Sequence, residues 1–89
     1  MAQYKLILRL LFEVELLEYR KRCGDTQEKI AEKLHISTRS YVDLEHGKYC
    51  VSTVTLLFFM AQLPKEKMVE IVDTFALRAR EADENVWIA

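Results

Sequence analysis

Only Gly24, Gly47 and Pro64 are available to break regular structure along this chain of 89 residues. So few breakers argue against disorder and against a turn-rich β-fold, and they leave long stretches free to coil into helices. The length fits one domain spanning residues 1–89, with little room for two independent cores.

Between the breakers the apolar residues recur at helical spacing. Over residues 4–22, Lys5, Arg9 and Glu13 fall at intervals of four while Leu6, Leu10, Leu17 and the surrounding leucines form a broad apolar surface, which predicts a helix with two faces to bury. The alternation of Leu6, Leu8, Leu10 and Phe12 with their neighbours also admits an initial strand. Gly24 can close this helix in a left-handed conformation, and Asp25 or Thr26 can cap the next one. In that second helix Ile30, Ala31 and Leu34 share a side, and Gln27, Glu28, Lys29, Glu32 and Lys33 are left to water.

His35 and Ile36 then form a short joint before Ser37, a second capping residue, with Ile36 placed to staple onto Tyr41. Tyr41 and Leu44 point the third helix at the core, Thr38, Arg39, Val42, Asp43 and His46 take its other faces, and Gly47 ends it. After a loop, Ser52 or Thr53 opens a fourth helix carrying Leu56, Phe59, Met60 and Leu63 on one side. Pro64 separates it from a fifth, over 65–84, whose inner side is expected to hold Met68, Ile71, Val72, Phe75, Ala76 and Ala79. The tail from Asp83 is expected to fray unless Trp87 and Ile88 tie it to an apolar groove. Val54 and Phe58 form a further apolar stripe that needs cover, which the fifth helix can supply within one chain, while the surplus on Leu6 through Leu17 can pair with the same surface of another copy.

Charge narrows the function. Thirteen Lys and Arg against fourteen Asp and Glu remove any overall basic excess, so a nucleic-acid role would have to come from a local patch. Arg9, Glu13, Glu15 and Glu18 interrupt the apolar start, so it cannot cross a membrane, and no signal-like cleavage region follows; cytoplasmic residence is the expectation. Cys23 and Cys50 form no close metal-binding pair, and His35 and His46 join neither cysteine in a catalytic arrangement. We therefore expect no catalytic residue, no metal and no cofactor.

The informative stretch is TQEKIAEKLHISTRSYVDLEHGK, residues 26–48, preceded by EYRKRCGD and followed by STVTLLFFMAQL. Two short helices crossed at a tight joint resemble a helix-turn-helix, and the sequence looks like the phage-repressor-like (lambda-repressor/Cro type) family over roughly residues 16–63. Gln27, Ala31, Leu34, Ile36, Ser37, Leu44, Glu45 and Gly47 stand where that family commonly places such residue types. The resemblance implies an all-α, compact five-helix bundle with a central helix-turn-helix, binding double-stranded DNA as a homodimeric transcriptional regulator. It implies base contacts from Thr38, Arg39, Val42 and Asp43, and phosphate contacts from Gln27. It also implies a structural pair between Arg20 and Glu45.

Arg20, Lys21, Arg22 and Lys48 are the nearby cations that could meet phosphates, although a charge run of this kind also serves simply to solvate a helix end. Asp43 could accept from a cytosine amino group but repels phosphates, and Lys29, Lys33, Arg39 and Lys48 are balanced by Glu28, Glu32, Asp43 and Glu45. His35 departs from the glycine often found in the turn, which demands an ordinary backbone there or a strained left-handed one. Tyr41 replaces a smaller residue and needs a partner for its hydroxyl. The neutral motif and the surplus apolar stripes favour the competing reading, a protein-interaction module that keeps the fold without binding DNA, and they admit an additional protein partner.

Overall fold

Three helix starts are set by the same local chemistry. In the computed structural model, which describes the backbone of residues 2–88 and the side chains of residues 3–84, hydroxyl oxygens accept from the third N–H of each following helix. Thr26 accepts from the Lys29 N–H at 3.1 Å, Ser37 from Ser40 at 3.0 Å and Ser52 from Thr55 at 3.2 Å. Each satisfies a backbone donor that the helix cannot pair internally. The five helices are α1 (Ala2–Cys23), α2 (Gln27–Lys33), α3 (Thr38–Glu45), α4 (Thr53–Ala61) and α5 (Lys65–Ile88), and there is no strand among the described residues.

Three helix ends are equally alike. Gly24, His35 and Gly47 take φ values of 68°, 60° and 70°, and the amide after each reaches back to close the last turn: Asp25 to the Arg20 carbonyl at 3.3 Å, Ile36 to Ala31 at 3.1 Å and Lys48 to Asp43 at 3.0 Å. This is the left-handed stop that glycine accepts freely. His35 accepts it at a cost, and its ring lies against Phe58 of α4, with centroids 4.4 Å apart.

The core gathers around Phe59 on α4, which is fully buried. Phe12 and Tyr19 of α1 meet its ring edge-on, with centroids at 5.0 and 5.6 Å, the arrangement that aligns the positive edge of one ring with the negative face of another. Leu16, Ile30, Ala31, Leu34, Tyr41 and Leu44 complete the contact between α1 and the α2–α3 pair. Ala31 is small enough for the crossed helices to approach.

α5 packs on α1 through Ile71 and through Lys67, whose ammonium lies 3.2 Å from Glu15 and 3.5 Å from Glu70. Burial alone would lower the Lys67 pKa, but those carboxylates reverse the effect and raise it.

Several expectations change. The amino-terminal segment is helical throughout, so the initial strand is set aside. α5 continues to Ile88 instead of fraying at Asp83, and Asp83 accepts a hydrogen bond from the Tyr4 hydroxyl of α1. The expectation that Trp87 and Ile88 dock in a groove lies outside the described side chains. Val72 and Ala76 face water, because α5 meets α1 along a narrower stripe than the sequence pattern implied. Lys33 is half-buried instead of solvated: it lies 2.7 Å from Asp25 and 5.8 Å from the Tyr19 ring centroid. α5 leaves Val54, Leu57 and Phe58 exposed and does not cover the α4 stripe.

Both glycine stops disfavour a Cβ on conformational grounds, but only Gly47 is crowded, since its Cβ would meet the Glu13 carboxylate whereas Gly24 opens on empty space. Gly24→Ala should therefore cost about 1 kcal/mol, and Gly47→Ala more than that, by the further amount needed to displace Glu13. Urea unfolding of the two variants beside the wild type measures the order; equal costs would mean that Glu13 moves aside freely.

Candidate nucleic-acid interface

The central side chain is a carboxylate. Glu45, in the last turn of α3, is buried, and three donors from three helices converge on it. Arg20 of α1 donates from Nε at 2.7 Å to Oε2 and from Nη2 at 3.0 Å to Oε1. Gln27, the first residue of α2, donates from Nε2 to Oε1 at 3.0 Å, and the Tyr41 hydroxyl donates to Oε2 at 2.6 Å. The Tyr41 ring thus sits in the core with its hydroxyl satisfied.

Burial on its own would raise the Glu45 pKa; the bonds from Arg20, Tyr41 and Gln27 overcome it and hold the group below its ordinary value. Burial and the hydrogen bond to Glu45 push the Tyr41 pKa upward. The bond to Glu45 raises that of Arg20 as well. At neutral pH the cluster is a charged pair with two neutral donors, and it joins α1, α2 and α3 at one point.

That junction engages two of the residues expected at phosphates. Arg20 has Nε and Nη2 occupied by Glu45, and the Gln27 amide nitrogen is aimed at the same carboxylate. Lys21 and Arg22 stay exposed in the last turn of α1. The exposed ammonium of Lys48 lies 3.4 Å from Asp43.

On α3, Thr38 and Arg39 stand at the amino-terminal end directly after the Ser37 cap, and the Arg39 side chain is 87% exposed. Val42 is half-buried one turn on. Asp43, whose side chain is only 21% exposed, sits between two cations, 3.8 Å from Arg39 and 3.4 Å from Lys48. Exposed pairs of this length contribute little and are easily exchanged, so the guanidinium is free to turn to another acceptor. The face formed by Thr38, Arg39 and Val42 is therefore held by a rigid junction at one end of a short helix and is open to solvent at the other.

Sequence reasoning missed two parts of this surface. Tyr49 donates from its hydroxyl to the Ser40 carbonyl at 2.9 Å, which pins the loop after α3 back onto that helix. Lys5 and Arg9 of α1 reach the same loop and line a groove with Lys48, Tyr49 and Cys50. The spacing of four between Lys5 and Arg9 shows that they share a face, but only the tertiary fold shows what that face meets. Among the described residues no group of His, Cys, Asp and Glu is arranged to hold a metal, both cysteines are unpaired, and no helix is long and apolar enough to cross a membrane.

Residues 16–66 match the sequence model of a helix-turn-helix family, a span that runs from within α1 to the start of α5. No curated protein and no solved structure matches the chain.

The depressed pKa of Glu45 fixes the sign of a pH effect. Its contribution to stability is complete above the unfolded carboxyl value, about 4.3, and is lost as pH falls through the lower folded value. Glu45→Gln should cost about 2 kcal/mol at pH 7, less than a fully buried pair because Arg20 is partly exposed. The gap to wild type should narrow below about pH 4. Denaturant titrations of both proteins from pH 7 to pH 3 read this directly; a gap that stays constant would mean that the Glu45 charge is irrelevant.

Proposed function

The chain belongs to this helix-turn-helix family, and on that premise we propose that it is a transcriptional regulator that binds specific double-stranded DNA as a homodimer. The observation that carries the reading is the outward amino-terminal end of α3, where Thr38 and Arg39 are exposed beside a junction that fixes the helix on α1 and α2. A helix so placed fits the width of a major groove. Arg39 is suited to the paired acceptors of guanine, Thr38 to a single bond, Val42 to a thymine methyl and Asp43 to the amino group of cytosine. Lys21, Arg22 and Lys48 would meet phosphates, with Arg20 and Gln27 contributing chiefly by holding Glu45.

The homodimer rests on unpartnered apolar surface. Leu10, Val14 and Leu17 of α1 are exposed, and Leu10 and Val14 open on a groove of about 430 Å³ between α1 and α5. A second copy would remove this surface from water and place two reading helices about 34–36 Å apart on successive turns of the duplex. A protein-interaction role is favoured by a different observation: Val54 and Leu57 of α4 are 65% and 64% exposed and lie beside Phe58 and Ala61 in an apolar depression.

Selection from a randomised duplex library over a salt series tests the DNA reading. A reproducible motif with salt-dependent affinity is expected, and absence of enrichment together with a tight protein complex would favour the interaction module. Arg39→Ala should lose about 1–3 kcal/mol of discrimination at one base position. Lys21→Ala should weaken related sites uniformly. Sedimentation should show a dimer at working concentration, and a monomer alone would remove the homodimer while leaving the fold intact.

A further inference from the structure

The part of α1 that lies before the matched residues carries a cationic surface that neither the core nor the Glu45 junction uses. Lys5 and Arg9 lie one turn apart and, with Leu6, form one wall of a groove of about 440 Å³, whose other wall is Lys48, Tyr49 and Cys50 from the loop after α3. Lys48 is compensated by Asp43 at 3.4 Å. Among the described residues neither Lys5 nor Arg9 has a carboxylate within ion-pairing distance. Glu13, the next residue in the series of four, is turned toward Gly47 and closes the far end of this face with negative charge, so the positive surplus lies at Lys5 and Arg9.

The groove is continuous with the reading helix. From Arg39 the charges run through Asp43 at 3.8 Å to Lys48, and Lys48 is itself part of the groove wall. The Tyr49 hydroxyl on Ser40 holds that wall against α3. A helix lying in a major groove has a phosphate strand along each side, so cations flanking it meet backbone without reading bases.

We propose that Lys5 and Arg9, facing Lys48 and Tyr49 across this groove, form a phosphate-binding site for the DNA backbone that extends the footprint beyond the helix-turn-helix. The inference rests on the DNA-binding reading. It also supplies the positive surplus that the motif itself lacks, since two uncompensated cations would add to a stretch whose charges otherwise balance.

The experiment compares affinity for the duplex selected by the wild type, over a salt series, for the full chain, for Lys5→Gln/Arg9→Gln, and for Lys65→Gln/Arg80→Gln. The last pair removes the same charge from exposed positions on α5. Loss of two phosphate contacts from each protomer, four from the homodimer, should make the slope of log affinity against log salt shallower by about 3.6 and weaken binding roughly a hundredfold near physiological salt, with base preference unchanged. The α5 pair should keep the wild-type slope, and Lys5→Arg/Arg9→Lys should restore it. Matching thermal melts of wild type and variants show that the fold is intact.

Equal slopes for the α1 and α5 double variants would overturn the proposal while leaving the DNA reading in place. Binding of inorganic phosphate that depends on Lys5 and Arg9, with the duplex slope unchanged, would overturn it as well. A wild type that selects no duplex would overturn the DNA reading, and this inference with it.

Discussion

Glu45 decides how the three helices around it sit. An apolar core rewards burial almost regardless of small rotations, so Leu16, Ile30 and Tyr41 alone would tolerate some rolling of α1 against α2 and α3. A carboxylate receiving bonds from Arg20, Gln27 and Tyr41 does not, because each donor has to arrive at a particular lone pair. The gain in net stability from such a buried charge is limited by its desolvation. Its larger effect is orientation: the network fixes the direction in which the exposed start of α3 leaves the body of the protein.

The helix ends were readable because their causes are local. A hydroxyl three residues ahead of an N–H, or a residue able to turn left-handed after the last turn, acts over a handful of atoms, and Ser37, Gly24 and Gly47 could be placed from spacing alone, with the fourth-helix cap narrowed to Ser52 or Thr53. Helical periodicity located Ile30, Leu34, Tyr41, Leu44 and Phe59 in the core for the same reason, but in α1 the leucines it singled out, Leu6, Leu10 and Leu17, are exposed while Phe12 and Leu16 are buried. What was hidden depends on distant partners. His35 stays left-handed in a turn where glycine is common, and its ring meets Phe58, far along the chain. Val72 lies on the apolar side of α5 by sequence, yet is exposed because the contact with α1 is narrow. The inward turn of Gln27 and the approach of Lys5 and Arg9 to Lys48 are likewise tertiary facts with no signature in spacing.

The molecule separates its surfaces by chemistry. One side offers the α3 start, the Lys48–Tyr49 loop and the cations of α1, and is polar and charged. The α1–α5 groove and the α4 stripe are apolar and lie on other elements. The near neutrality of the whole chain therefore conceals an uneven distribution: Glu15 and Glu45 are buried beside Lys67 and Arg20, while Lys21, Arg22 and Lys48 remain outward.

The hydrogen bond from Tyr4 to Asp83 joins positions 79 residues apart, nearly the two ends of the chain. Closing so long a loop is entropically the last contact to be rewarded, whereas α2 and α3 meet across a joint of a few residues. During synthesis from the ribosome α2 and α3 can thus assemble, and Phe12, Leu16 and Tyr19 of α1 can meet them and Phe59, while α5 is still emerging; only the side of α1 that faces Ile71 has to wait. A nascent chain stalled before Lys65 would already hold the helix-turn-helix against α1 but would leave the side of α1 that faces Ile71 open to aggregation, so α5 acts, in the timing of folding, as the closing clasp.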